Sequence, residues 1–243
     1  MLKKIAFSVL GILVLLFGGT AIWMSVPFAY DQAAIDAAMQ DSANVAVSSD
    51  DFVVFSPKDT QATTGLIFYP GGKTTAETFA PYMHSVAEAG YLAVVAPMPL
   101  KTAFLGIDKA NEVMAAYPQI QRWVIAGHSL GGVGAAEYVK SADLSKLRGL
   151  LLLASYPASD ISQLDIAVMS ISGSKDLQST PAKIDANKAK LPASTEYVVI
   201  DGANHWQFGA YAASKTQQSD LISPEQQATE ILTNTLQFLA KIP

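Results

Sequence analysis

The sequence contains no cysteine and few charged residues. Cysteine is absent from all 243 residues, which excludes disulfides, thiolate metal sites and a cysteine nucleophile. Only 15% of the residues are charged and the net charge is −5, so a nucleic-acid-binding surface is not expected. Histidine occurs only at positions 84, 128 and 205, and no zinc spacing such as H-E-x-x-H is present. We therefore expect a protein that works without a metal, a cofactor or nucleic acid.

Apolar residues, in contrast, make up half of the chain. A run of 22 uncharged residues from Ile5 to Val26 is long enough to cross a bilayer. Lys3 and Lys4 precede the run, and the positive-inside rule would keep them in the cytoplasm. A cleaved signal peptide fits the same pattern, with a cleavage site at 19–21, but the apolar run continues beyond that site. We favour an uncleaved, single-pass membrane anchor with an extracytoplasmic domain; secretion after cleavage is the alternative.

The rest of the chain is long enough for one full-sized domain. Residues 1–26 are interpreted as the anchor or signal segment, 27–49 as a linker or stalk, and 50–243 as a single domain. Within this domain, short apolar runs alternate with segments of helical spacing. The predicted strands are 52–55, 65–69, 91–96, 123–126, 149–154, 166–172 and 196–200. This alternation predicts an α/β fold with a mostly parallel, twisted sheet and helices on both faces.

The most informative motif is Gly127-His-Ser-Leu-Gly131, which lies between an apolar strand and a helix of small residues. G-x-S-x-G at such a junction is typical of a nucleophile elbow, a strained turn that presents a serine hydroxyl above the sheet. Glycines on both sides of the serine let the strand and the helix approach closely. The helix directs its free N–H groups at the site, where negative charge would develop. Ser129 is therefore the predicted nucleophile.

Two further polar residues follow predicted strands, at the sheet edge where parallel sheets place ligands. Asp176 and His205 come after the last two strands, so that the chain order is Ser, Asp, His. A serine hydroxyl needs a histidine to accept its proton and a carboxylate to orient the imidazole. We assign His205 as the base and Asp176 as the acid, with Asp160 and Asp201 as alternative carboxylates.

The two other histidines and an oxyanion hole complete the candidate set. His84 is expected on the surface of a helix, and His128 is expected to pack or hydrogen-bond behind the serine. One oxyanion donor should be the N–H of Leu130, the residue after the nucleophile. The other should come from the Pro-Gly-Gly-Lys loop, where Gly72 is favoured over Lys73.

These motifs resemble the α/β-hydrolase superfamily of serine hydrolases over residues 50–243. Four stretches resemble an exported bacterial branch that is similar to dienelactone hydrolases. They are YPGGK (69–73), PLKTAFLG (99–106), GHSLGG (127–132) and NHWQFG (204–209). The resemblance implies an α/β-hydrolase fold with an eight-stranded, mostly parallel sheet. Dienelactone hydrolases use a cysteine nucleophile, so the resemblance does not extend to their substrate.

The sequence thus predicts a serine hydrolase that cleaves small-molecule or lipid-like carboxylic esters through a Ser-His-Asp triad and an acyl-enzyme. Only residues 156–165 separate the strands between which larger members of the superfamily insert a cap, so we expect a minimal cap. An acyltransferase would use the same triad, with an alcohol in place of water. A non-catalytic binding protein on the same fold is the other alternative.

Overall fold

The computed structural model describes Leu15, residues 18–215 and residues 221–242. In this part of the chain, eight strands form one sheet in the order β1-β2-β4-β3-β5-β6-β7-β8. The strands are β1 (Val45–Ser49), β2 (Val53–Pro57), β3 (Thr64–Tyr69), β4 (Leu92–Val95), β5 (Arg122–His128), β6 (Leu147–Leu153), β7 (Ala167–Gly173) and β8 (Glu196–Ile200). The helices between and around them are α1 (Gln32–Ala38), α2 (Ala80–Glu88), α3 (Lys109–Ala116), α4 (Leu130–Val139), α5 (Pro181–Asn187) and α6 (Pro224–Lys241).

The sheet is parallel from β4 through β8 and antiparallel at the β1–β2 end. Its register places Tyr69 of β3 beside Gly127 of β5, and Gly127 beside Leu152 of β6. The carboxyl ends of the central strands therefore lie side by side. We call this edge, with the loops that follow the parallel strands, the carboxyl edge.

Side chains on the central strands alternate between two apolar clusters, as a strand buried on both faces requires. In β5, Val124 and Ala126 face the cluster covered by α2 and α6. Trp123 and Ile125 face the cluster covered by α3 and α4. The prediction of helices on both faces of a mostly parallel sheet is confirmed.

The amino-terminal boundary of the domain differs from the predicted one. Residues 27–49 were expected to form a linker or stalk, but Val45–Ser49 is a strand of the sheet and pairs with β2. The helix at Gln32–Ala38 buries Ile35 and packs against α2. The sequence signal was weak because only Val45 of this edge strand is fully buried, so its hydrophobic alternation is short.

Residues 28–31, which we call the strap, tie two loops of the carboxyl edge together. Phe28 N–H donates to the carbonyl of Lys73 at 2.8 Å, in the loop after β3. Asp31 N–H donates to Ala210 at 2.9 Å, and Ala212 N–H donates to Ala29 at 3.0 Å, both in the loop after β8. Part of the segment predicted to be a linker or stalk therefore belongs to the loops around the carboxyl edge.

Most of the predicted membrane span, Ile5–Val26, lies outside the described residues. Its last part is described, and residues 18–25 are helical. Among the described residues, no helix has the length and apolar character needed to span a bilayer.

The connection between β6 and β7 spans residues 154–166 and contains neither helix nor strand. No folded cap is therefore inserted at this position. Ser129, at the neighbouring strand end, is half-buried and not sealed from solvent. This geometry suits a site that is open to substrate.

Candidate active site

Ser129 occupies a strained turn between β5 and α4. Its backbone has φ 52° and ψ −123°, a conformation that non-glycine residues rarely adopt and that costs about 1–3 kcal/mol. The flanking glycines are required by space. A Cβ on Gly127 would collide with the backbone of Gly131, and a Cβ on Gly131 would collide with the carbonyl oxygen of Tyr69. The turn is thus tight enough to lift the serine above the strand ends.

Hydrogen bonds from β6 hold this turn in place. Ser129 N–H donates to the carbonyl of Leu153 at 3.0 Å, and the Ser155 hydroxyl donates to the carbonyl of Ser129 at 2.7 Å. Both bonds use the backbone of Ser129 and leave its hydroxyl available. Ser155 is buried, and the space beside it exists because residue 132 is glycine. Sequence reasoning missed Ser155, because a contact with the next strand leaves no local pattern.

Asp176 and His205 meet at the carboxyl edge, although 29 residues separate them in the chain. His205 Nδ1 lies 2.8 Å from Asp176 Oδ2, and both side chains are almost completely buried. Asp176 Oδ1 accepts the backbone N–H groups of Gln178 and Ser179 at 2.7 and 2.8 Å. A carboxylate held this way accepts a hydrogen bond from Nδ1–H, so that in the neutral imidazole the unprotonated nitrogen is Nε2. Nε2 is the ring atom that a general base would use.

The backbone around His205 is fixed by side-chain amides. Gln227 of α6 makes a reciprocal pair with Asn204, accepting its N–H at 3.0 Å and donating to its carbonyl at 2.9 Å. The Asn204 side-chain oxygen accepts the N–H groups of Trp206 and Gln207, both at 2.9 Å. Gln227 is fully buried and spans the gap between α6 and the loop. Its polar side chain on a buried helix position was the signal that sequence reasoning overlooked.

His128 lies behind Ser129 and supports His205. Its Nε2 is 3.1 Å from the carbonyl oxygen of His205, which can only accept, so Nε2 carries the hydrogen. Burial, and next the nearby His205, hold the pKa of His128 well below its usual range, so that the ring is neutral. Its Nδ1 is then an acceptor and lies 3.4 Å from the hydroxyl of Tyr211. The expected role of His128 in packing and hydrogen bonding agrees with this placement.

Polar contacts continue from Tyr211 to the loop after β3. The Tyr211 and Thr74 hydroxyls lie 3.0 Å apart, and Thr74 Oγ1 lies 3.3 Å from the carbonyl of Gly72. Burial raises the pKa of Tyr211, so its hydroxyl keeps its proton. A chain of neutral polar groups therefore links the loop that holds Gly72 to the backbone of His205. We call His128, Tyr211 and Thr74 the polar bridge.

The two residues with the candidate oxyanion N–H groups lie next to each other at the elbow. A Cβ on Gly72 would lie 3.0 Å from Leu130 Cδ2, which places the two residues in contact. Within the described residues, no hydrogen bond occupies the N–H of Gly72 or of Leu130. The N–H of Lys73, by contrast, donates to the carbonyl of Lys101 at 2.8 Å. Of the two loop positions considered, Gly72 therefore has the available donor.

The alternative carboxylates and the third histidine lie apart from this group. Asp160 is exposed and accepts the N–H of Ser162 at 2.9 Å. Asp201 accepts the hydroxyl of Ser174 at 2.8 Å. His84 lies 3.6 Å from Glu88 on α2. In the part of the chain that is described, no three His, Asp or Glu side chains are grouped to hold a metal ion.

A family model described as "Alpha/beta hydrolase family" matches residues 65–229, which is more than half of the chain. The chain belongs to the alpha/beta hydrolase family. Family membership supports a hydrolase, and the eight-stranded, mostly parallel sheet agrees with the fold implied by the resemblance. A search of curated proteins finds no significant match.

The fold is similar to that of three solved structures whose descriptions name a dienelactone hydrolase, an esterase and an esterase/lipase. A protein described as a dienelactone hydrolase from Klebsiella pneumoniae is 16% identical, with a TM-score of 0.57, over 78% of this chain and 92% of that one. An esterase from Thermogutta terrifontis is 17% identical, with a TM-score of 0.54, over 79% and 90%. An esterase/lipase from an uncultured bacterium is 12% identical, with a TM-score of 0.57, over 86% and 90%. At these identities the likeness concerns the fold.

Proposed function

We propose that this protein is a serine hydrolase of carboxylic esters, with Ser129, His205 and Asp176 as its catalytic triad. The observation that carries the proposal is the buried contact of 2.8 Å between Asp176 and His205, at the same sheet edge as the strained Ser129. A buried carboxylate on Nδ1 fixes the tautomer in which Nε2 can accept a proton. The loops after β7 and β8 and the turn at Ser129 do not require a buried Asp–His pair in order to fold, which favours a catalytic role for the pair.

In the proposed reaction, the Ser129 hydroxyl attacks the ester carbonyl while His205 Nε2 takes its proton. The negative charge that develops on the carbonyl oxygen is stabilised by the N–H groups of Leu130 and Gly72. His205 then returns the proton to the departing alcohol, leaving the acyl group on Ser129. Water repeats the sequence and releases the acid, with Asp176 stabilising the charged imidazole in both halves.

The polar bridge has a positioning role in this scheme. His128 donates to the backbone of His205, and Thr74 lies against the carbonyl of Gly72. The base and the loop that holds one oxyanion donor are therefore joined by a chain of polar contacts, in which the hydroxyls of Tyr211 and Thr74 have one hydrogen each to donate. Holding these groups in register before the substrate arrives lowers the reorganisation that the reaction requires.

The test is labelling with a fluorophosphonate probe, which reacts with activated serines. The unaltered chain should be labelled, Ser129→Ala should abolish the label, and His205→Ala should greatly reduce it. Hydrolysis of p-nitrophenyl acetate should be lost in the same variants. Absence of labelling beside a reactive esterase, or full hydrolysis by purified Ser129→Ala, would refute the assignment.

We also propose that the apolar run at 5–26 anchors the protein, with its catalytic domain outside the cytoplasmic membrane. The length of the run and the lysines before it support this placement. Fractionation of bacteria that express the full chain should place it with the membranes. Protease added to spheroplasts should degrade the domain; protection from protease would contradict the orientation.

A further inference from the structure

The end of the apolar run lies directly against the catalytic loops. The Nζ of Lys73, next to Gly72, is 3.8 Å from the centre of the Trp23 ring. Lys101 Nζ donates to the carbonyl of Ser25 at 2.5 Å. The strap at 28–31 then continues into backbone hydrogen bonds with both flanking loops. No flexible spacer therefore separates the apolar run from the site. The carboxyl edge lies directly beside the last residues of the run.

Exposed apolar side chains are concentrated at the same edge. Leu100, Phe104 and Leu105 follow β4 and are 44%, 49% and 57% exposed, and Leu177 follows β7 and is 74% exposed. The last residues of the apolar run add three more, which are Ile22, Trp23 and Val26. The other exposed large apolar residues of the described chain are Leu15, in the apolar run, and Val199, near the carboxyl end of the outer strand β8. Exposed apolar side chains that are grouped in this way mark a surface that binds another molecule or a membrane.

The carboxyl edge has no positive charge to attract anionic headgroups. The described loops after the parallel strands, at 70–75, 97–108, 154–166, 174–179 and 201–215, contain four lysines and five carboxylates, which are Lys73, Lys101, Lys175, Lys215, Asp108, Asp160, Asp165, Asp176 and Asp201. The two signs nearly cancel, whereas the whole chain has a net charge of −5. Contact with a bilayer at this edge therefore depends on the exposed apolar side chains, with little electrostatic repulsion to oppose it.

We propose that the carboxyl edge docks on the surface of a lipid bilayer, beside the apolar run, and that Ser129 takes lipid esters presented from that surface. The inference rests on the proposed ester hydrolysis and names its substrate class. The rim at Leu105 and Leu177, on opposite sides of Ser129, contacts the lipid. The acyl chain of a substrate then reaches the site without crossing water.

The absence of cysteine allows a direct test of docking. The full chain with Leu105→Cys, Leu177→Cys or Gln121→Cys is labelled with a nitrobenzoxadiazole dye and reconstituted into vesicles of phosphatidylcholine and phosphatidylglycerol. Gln121 is exposed and directly precedes β5, at the opposite ends of the parallel strands. Dye at positions 105 and 177 should shift to the blue and be quenched by spin-labelled lipid, whereas dye at 121 should behave as in water. Equal, water-like emission at all three positions would overturn the proposal.

Activity supplies the second test, with Leu105→Asp compared with Gln121→Asp. On a long-chain ester dissolved in the same vesicles, Leu105→Asp should lose about tenfold in rate, because a charge at a buried lipid contact weakens docking. On soluble p-nitrophenyl acetate it should stay within about twofold, because the site itself is unchanged. Equal losses on both esters, or an equal effect of Gln121→Asp, would overturn the proposal. Failure of the unaltered chain on the soluble ester would refute the hydrolase itself, whereas the dye measurements do not depend on hydrolysis.

Discussion

The two ends of the parallel strands differ in how the chain reverses direction. Among the described residues of the carboxyl edge, five that are not glycine have a positive φ: Lys73 after β3, Leu100 and Lys101 after β4, Ser129 after β5 and Ala154 after β6. In the described turns at the amino ends, the residue with a positive φ is a glycine, Gly90 after α2. Gly90 adopts this conformation at little cost, whereas each of the other five stores strain. Strain is thus concentrated around Ser129.

Buried polar side chains follow the same division. His128, Ser155, Asp176, Asn204 and His205 are all buried at the carboxyl edge. The turns at the amino ends use exposed polar groups, such as Asp143, which accepts the N–H of Ser145. Burying polar groups is costly unless each is paired. The carboxyl edge therefore has both the backbone strain and this group of buried polar side chains. Paired substitutions at the two ends of the strands can show whether activity requires these features.

The largest difference is expected between Asp176→Asn and Asp143→Asn. Both carboxylates accept backbone N–H groups through Oδ1, which an asparagine preserves. At position 176, however, the new amide would donate to His205 Nδ1 and move the ring proton to Nε2. The kcat on p-nitrophenyl acetate should fall about 10⁴-fold in Asp176→Asn, with little change in Asp143→Asn. Similar activity in the two variants would argue against the triad.

A smaller loss of activity is expected from the polar bridge. His128→Phe removes the donor to the His205 carbonyl and should lower kcat about 10- to 100-fold with little change in KM. His128→Gln, whose amide can still donate, should recover part of the loss. His84→Phe, on α2, is the matched control and should leave kcat unchanged. Loss without recovery in His128→Gln, together with a changed KM, would indicate a packing role alone.

The third pair compares neighbouring glutamines on α6. Gln227→Leu leaves the N–H and carbonyl of Asn204 buried without partners and should lower the free energy of unfolding by about 2–4 kcal/mol. Gln226→Leu changes an exposed side chain and should have almost no effect. Urea unfolding of both variants measures the difference. Equal midpoints would mean that Asn204 finds other partners.

The smallest effect concerns the pH dependence of stability. The folded protein keeps His128 neutral, because burial lowers its pKa well below 6.5, whereas the unfolded chain binds a proton below that pH. The contribution of His128 to the free energy of unfolding is thus fully present above about pH 6.5. It is lost as the pH falls below that value, at up to about 1.4 kcal/mol per pH unit. Urea midpoints of His128→Gln should fall less steeply between about pH 6.5 and pH 5 than those of the unaltered chain. Parallel curves would contradict the buried neutral state.

The residues that sequence could place are those with a local signal. Apolar runs marked seven of the eight strands to within a few residues, and the glycines around Ser129 marked the elbow. Strand ends then directed attention to Asp176 and His205, which the structure brings together. β1 was missed because its short alternation has only one fully buried residue, Val45.

The rest of the site depends on contacts between distant segments. Gln227 lies 23 residues from Asn204, and Thr74 lies 137 residues from Tyr211. Neither Gln227 nor Thr74 is part of a recognisable sequence motif. Their roles in the site depend on contacts with residues that are distant in the chain. The same holds for the strap, since a stretch with weak periodicity resembles a linker until its backbone partners are known.

The strap also limits how the chain can be shortened. A truncation that begins at Gln32, a natural choice for removing the apolar run, would take with it the partners of Lys73, Ala210 and Ala212. The shortened protein could keep its sheet and both apolar clusters and still have loosened loops on either side of Ser129. Weak activity in such a fragment would then result from the loss of the strap. A fragment that begins before Phe28 is needed to measure the activity of the intact site.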